Sequence, residues 1–155
     1  MVETAFYIRN PESDSDWEAY YNLRWELLRK PWDKPRGSEK DEKDDKDADA
    51  HHVMVVDQND NIIGVGRVHF NNESESQVRY MAVKEQWKHQ GIGSLILTRL
   101  EQYSKDNGAT KIMLYARENA IDFYLKRGYF NQGPAHNLYG EIPHLFMTKT
   151  LVNGR

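Results

Sequence analysis

Gly91 and Gly93 stand one residue apart in Lys88-His89-Gln90-Gly91-Ile92-Gly93-Ser94, directly ahead of the aliphatic run Leu95-Ile96-Leu97. A glycine turn that opens a helix bares backbone N–H groups. Together with the helix dipole they favour an anion, most often a phosphate. Three ligand classes use such a turn: a dinucleotide, a nucleoside triphosphate, or a diphosphate carrier such as coenzyme A. The dinucleotide fingerprint needs a third glycine three residues on. Ile96 stands there, and a large side chain at that place is expected to block close helix–strand packing. The triphosphate loop needs glycine followed by Lys and Ser or Thr, and the chain has no such run. What remains is a short anion-binding turn, or a tight strand-to-helix connection with no ligand.

Other chemistry-bearing residues are scattered. His51 and His52 are adjacent in a strand-like run. Neighbours on a strand point to opposite faces, so the pair cannot ligate one metal, and no metal is expected. Arg24 falls seven residues after Trp17, on the apolar stripe of the first helix. Such a charge either snorkels at the rim of the stripe or points into a polar cleft.

The elements that must position these residues follow from periodicity and breakers. Thr4 to Arg9 reads as a first strand, broken by Asn10-Pro11. Ser15-x-x-Glu18 has the capping-box pattern. Trp17, Tyr20, Tyr21, Leu27 and Leu28 share one helical stripe, which Pro31 ends. His51–Val56 and Ile62–Phe70 form a hairpin across Asp57–Asn61, and Gln77–Val83 is the next strand. Ile92, Leu95, Ile96, Leu100 and Tyr103 make an amphipathic helix with Gly108 as its stop. Thr110–Ala116 is a strand, Asn119 caps a short helix closed by Gly128, and His144–Leu151 is the last strand. The order is β-α-loop-β-β-β-α-β-α-β. The strand–turn–helix–strand unit from Gln77 to Ala116 is a right-handed crossover joining parallel strands. The fold class is α+β, one curved and mostly antiparallel sheet around that parallel unit.

Composition bounds the function. The 155 residues suit one domain, residues 1–155. There is no cysteine, which excludes thiolate chemistry and disulfides and fits a reducing, cytoplasmic setting. The N-terminal run lacks the basic and apolar regions of a signal peptide, and no apolar run reaches the length of a membrane span. Of the 24 acids and 21 bases, eight acids and five bases fall between Asp33 and Asp49, leaving sixteen of each elsewhere. The net charge of −3 therefore resides in that segment, which reads as a solvated loop. No basic footprint of a nucleic-acid binder is present. Neither nucleic acid nor membrane is an expected partner.

With the elements in place, the chain from Ala50 to Leu151 resembles the GCN5-related N-acetyltransferases (GNAT). Two motifs carry the resemblance. "RYMAVKEQWKHQGIGSLIL" is similar to the family's strand, pyrophosphate loop and helix. "LYARENAIDFYLKRGYF" matches its second element through Asn119, Phe123, Tyr124, Lys126, Gly128 and Tyr129. Where the family has glutamine or arginine at the first loop position, Lys88 stands here and keeps the charge without the planar fork.

The resemblance implies direct attack of a primary amine on the thioester of acetyl-CoA, the cosubstrate. It implies that Lys88, His89, Gln90, Gly91, Ile92, Gly93 and Ser94 hold the pyrophosphate, with Asn119 near the sulfur; Lys126 and Arg127, on the same short helix, are the candidates for the ribose phosphate. Main-chain N–H groups of the Met81, Ala82 and Val83 segment are the implied donors to the carbonyl oxygen. Tyr124 is the implied general acid for the thiolate; a thiol near ~8.5 and a phenol near ~10 are matched without a large shift. Arg24, Arg29, His52, Arg67 and His144 are placed on the acceptor side. The amine must lose a proton, for which His69, His52, His144, Glu118 and Tyr80 are the candidates. The acidity of residues 33–49 favours a cationic acceptor, small or peptidic. The family resemblance implies a possible homodimer. The competing reading is a non-catalytic acyl-CoA-binding module.

Overall fold

The computed structural model describes residues 5–40, 50–138 and 142–151. The elements are β1 (Phe6–Arg9), α1 (Asp14–Leu28), β2 (His51–Asp57), β3 (Ile62–Phe70), β4 (Glu75–Val83), α2 (Ile92–Asp106), β5 (Lys111–Arg117), α3 (Ile121–Leu125), β6 (Phe130–Leu138) and β7 (Ile142–Thr150). The strands form one sheet in the order β1-β2-β3-β4-β5-β7-β6. Only β4 and β5 pair in parallel; every other neighbour is antiparallel. This is the α+β sheet that the sequence pattern implies. Residues 41–49, most of the acidic segment, lie outside the described residues, as do Thr4 and the tip of the segment from His136 to Phe146.

β2 shows how one strand serves two layers. Val53 and Val55 face the cluster that contains Ile92, Ile96, Leu97 and Leu100 of α2. Met54 and Val56, one residue out of phase, face Tyr20, Tyr21 and Leu23 of α1. The alternation of a strand sends successive side chains to opposite faces, so the two helices cover the two faces of the sheet.

Three local readings of the sequence are corrected. The capping box of α1 is Ser13 with Asp16, not Ser15 with Glu18. The Asp16 carboxylate accepts from the Glu12 and Ser13 N–H groups and pairs with Arg9. A charge-assisted partner on the neighbouring strand favours that phase of the box. Asn119 caps nothing: it sits in a 3-10 turn, Glu118–Ala120, and α3 begins only at Ile121, with no side-chain cap. The sequence reading also lacks β6. This strand carries Gly133 and Pro134 and slips register at both, a composition tolerated because β6 is the sheet's edge.

The helix–sheet spacing on the α2 side comes from glycines of β3. A Cβ at Gly66 would lie 2.3 Å from Ile96 Cγ2, and one at Gly64 3.1 Å from Ile96 Cδ1. Ile96 is fully buried between them. The expected obstruction by Ile96 is therefore absent: the room that a third glycine on the helix would provide is supplied by two glycines on the strand.

Candidate active site

The site begins where a ladder stops. β4 and β5 pair at Glu75–Lys111, Ser76–Ile112 and Gln77–Met113, and no further. Beyond Val78 and Leu114 the strands part. The cause lies on the other edge of β4, where the register with β3 passes from Arg67–Arg79 to Val65–Ala82. Two residues of β4, Tyr80 and Met81, thus oppose Gly66 alone. Tyr80 has φ of 58°, a left-handed conformation uncommon outside glycine. Such a bulge bends its strand and re-aims the side chains around it. Arg79, Tyr80, Met81, Ala82 and Val83 consequently all line one cleft of about 780 Å³.

The glycine turn closes one end. Lys88, His89, Gly91, Ile92, Gly93 and Ser94 line the cleft, and Gln90 is exposed outside its lining. Gly91 is the N-cap of α2, with φ of 85° and no side-chain cap bond. The first-turn N–H groups of Ile92, Gly93 and Ser94 have no intrahelical acceptor by construction. A Cβ on Gly91 would meet nothing within 4 Å, whereas one on Gly93 would press on the Phe123 ring at 3.2 Å. The two glycines therefore do different work. Gly91 supplies the turn, and Gly93 lets α2 approach α3. Lys88 is paired with Glu85 at 3.0 Å, on the exposed side of the turn.

Tyr124 stands in the facing wall, 7% exposed, in edge contact with Phe123 and Tyr129. Its carbonyl accepts from the Arg127 and Tyr129 N–H groups, which fixes the end of the short helix. Burial raises the phenol's pKa, with Arg127 pulling weakly the other way. The close match to a thiol expected from the sequence is thereby shifted: the phenol is held protonated, as a donor.

Asn119 and His144 also line the cleft. Lys126 does not: it is exposed, and its neighbour Arg127 takes the lining position, with its guanidinium carbon 3.8 Å from the Phe123 centroid. Of the pair Lys126 and Arg127 that the sequence offers for the ribose phosphate, Arg127, just past the end of α3, is the one that lines the cleft.

On the acceptor side, only Arg29 and His144 of the five candidates line the cleft. Arg24, His52 and Arg67 are buried behind it. Arg24 donates to the Tyr20 hydroxyl at 2.7 Å, and that hydroxyl contacts His52 Nδ1 at 2.9 Å. Arg67 contacts His69 Nδ1 at 2.6 Å, and His69 reaches Asn71 at 3.0 Å. Arg24 thus neither snorkels nor enters the cleft; it sits fully buried in a polar cluster under α1. Of the proton-acceptor candidates, Tyr80 and His144 line the cleft, whereas His52, His69 and Glu118 do not. Among the described residues no group of three His, Cys, Asp or Glu is placed to hold a metal ion. No described helix is long and apolar enough to cross a membrane.

The model of the acetyltransferase (GNAT) family matches residues 17–129. The uncharacterised N-acetyltransferase YjcF of Bacillus subtilis strain 168 is 30% identical over 145 residues, covering 94% of this chain and 98% of that one. A candidate N-acetyltransferase from Lactobacillus plantarum superposes with a TM-score of 0.81 at 21% identity, covering 96% of this chain and all of its own. An aminoglycoside 6'-N-acetyltransferase solved with coenzyme A superposes with a TM-score of 0.80 at 18% identity, covering 96% and 99%. At those identities the two structures share the fold.

Proposed function

This chain belongs to the acetyltransferase (GNAT) family, and from that premise we propose that it moves an acetyl group from acetyl-CoA to a primary amine by direct attack. The observation that carries the reading is the parting of β4 from β5, with an uncapped glycine turn at one end of the gap and Tyr124 in its wall. Coenzyme A in the structurally similar aminoglycoside acetyltransferase supports the choice of ligand.

The residues present fit an acyl-CoA. Ile92, Gly93 and Ser94 offer N–H groups to a pyrophosphate, with Lys88 and His89 beside them. Past Gln77 and Met113 the ladder between β4 and β5 ends, and an extended amide-bearing chain fits along the cleft that opens between them. Met81, Ala82 and Val83 supply the main-chain donors for the carbonyl oxygen on which charge develops. Bound acetyl-CoA supplies the thioester carbon and the thiolate leaving group. Tyr124 donates its proton toward the sulfur as the C–S bond breaks. The raised pKa makes complete transfer to a free thiolate unfavourable, so its contribution is chiefly a hydrogen bond that strengthens as sulfur gains charge. The nitrogen's proton leaves toward His144 or Tyr80, the two candidate acceptors that line the cleft, or toward water.

The test is release of free coenzyme A over a panel of amines. Tyr124→Phe is expected to lower kcat about a hundredfold with little change in the KM for acetyl-CoA. Amines that all fail, together with a silent Tyr124→Phe, would instead favour a binding module.

A further inference from the structure

Tyr124 stands on a helix too short to hold it. α3 has five residues and no side-chain cap, far below the length at which a helix persists on its own hydrogen bonds. The direction of the phenol therefore comes from what α3 leans on. Two contacts supply it, and both lead to α2. The Phe123 ring rests on Gly93, where a Cβ would stand 3.2 Å from it. On the other side, the Tyr129 ring meets the Tyr124 ring edge-on with centroids 5.5 Å apart, and its N–H donates to the Tyr124 carbonyl at 3.1 Å. Tyr129 is fastened at its far end, where its hydroxyl donates to Glu101 Oε2 at 2.8 Å.

Glu101 is itself held. Lys149 of β7 donates to its two oxygens at 3.1 and 3.3 Å, and the two side chains are 14% and 28% exposed, so water screens the pair only in part. Tyr129 is buried, and its burial and the Glu101 charge both raise its pKa, which keeps the hydroxyl a donor. Gly93 and Glu101 lie eight residues apart on α2, about 12 Å along its axis. One contact would leave α3 a pivot; two that far apart fix a direction. The same helix carries the glycine turn at its N-terminus. Among the described residues none hydrogen-bonds the Tyr124 hydroxyl itself, so its aim depends on the ring and the backbone behind it.

We propose that Tyr129, pinned by Glu101, is a positioning residue for Tyr124. It holds the phenol in register with the glycine turn, so that the hydroxyl meets the sulfur of a coenzyme A anchored there. The inference rests on the acetyltransferase reading, in which Tyr124 donates to that sulfur.

The chain has no cysteine, so coenzyme A brings the only thiol, and its ionisation tests the proposal without a known acceptor. With protein in excess, the thiolate is read as the difference in ultraviolet absorbance between complexes of coenzyme A and of S-methyl coenzyme A, in which the protein's own tyrosines cancel. A phenol that donates to sulfur favours the thiolate, so losing or misaiming it raises the pH at which the thiol ionises. Tyr124→Phe is expected to raise that midpoint by about one pH unit. Tyr129→Phe keeps the ring and loses the hydroxyl. It should raise the midpoint by about half a pH unit or more, and add nothing in a protein that already carries Tyr124→Phe. Glu101→Ala should act as Tyr129→Phe does, whereas Glu101→Gln still offers the hydroxyl an oxygen and should restore most of the wild-type value. With an amine that turns over, Tyr129→Phe should lower kcat about fivefold at unchanged acetyl-CoA KM. A Tyr129→Phe protein that loses thermal stability but titrates like the wild type makes Tyr129 a packing residue and overturns the proposal. So does an equal rise in the Tyr124→Phe background. If Tyr129→Phe does not fold, the contrast between Glu101→Ala and Glu101→Gln decides. A thiol unmoved by Tyr124→Phe removes the donor role of Tyr124 together with its positioning. A thiol that ignores added protein altogether sinks the cofactor reading, and the proposal with it.

Discussion

At the scale of single residues, Tyr124 separates type from environment. Sequence spacing and family resemblance single out the side chain, but its surroundings come from Phe123, Tyr129 and the burial of a five-residue helix. Burial moves its pKa upward from 10, so the protonated, donating form persists across the neutral and alkaline range. In kcat profiles, no alkaline fall owing to Tyr124 is expected below about pH 10. A limb below that pH that vanishes in Tyr124→Phe would contradict the donor role. Gly93 teaches the same lesson from the other side. It looks like part of an anion turn, yet its missing Cβ makes room for the Phe123 ring. The Tyr80 bulge left no mark in the sequence, because neither β-propensity nor alternation signals a slip that depends on the partner strand.

At the scale of elements, α2 and β3 depend on each other. A methyl group at Gly66 would meet Ile96, Leu100 and Val53 at 2.3, 3.3 and 3.5 Å. Gly66→Ala is therefore expected to destabilise the fold by about 1–3 kcal/mol through overpacking, read as a lower denaturant midpoint at unchanged slope. The α1 capping box gives a pH-dependent counterpart. The Arg9 guanidinium, with the Glu12 and Ser13 N–H groups, holds the Asp16 carboxyl well below the usual carboxylate range. A folded value below the unfolded one of about 3.9 stabilises fully above that pH and less as pH falls toward the folded value. Asp16→Asn should cost about 1–2 kcal/mol at neutral pH, and urea titrations of the two proteins should converge in acid. A difference that stays constant down to pH 2 would remove the carboxylate from the account. The elements themselves were mostly legible, since long periodic runs such as Ile92 to Tyr103 leave little choice. β6 was not, because an edge strand can hold glycine and proline that would disqualify a central one.

At the scale of the whole molecule, the parallel unit around the glycine turn was readable, and its consequence for the sheet was not. The parted strands arise from a bulge on one edge of β4 and an ended ladder on the other. Coenzyme A at a hundred times its Kd should stabilise the native state by about 2.7 kcal/mol, measured as a rise in the thermal midpoint. The same protein without a shift at millimolar ligand does not bind it there. Between β1–β4 and β5–β7 the sheet is joined by three paired positions. Everything past them is two banks facing each other across a gap. The stiffness of the molecule along that line is then partly borrowed: a ligand lying in the gap acts as a removable beam, and bending across the sheet becomes a property of the complex rather than of the chain.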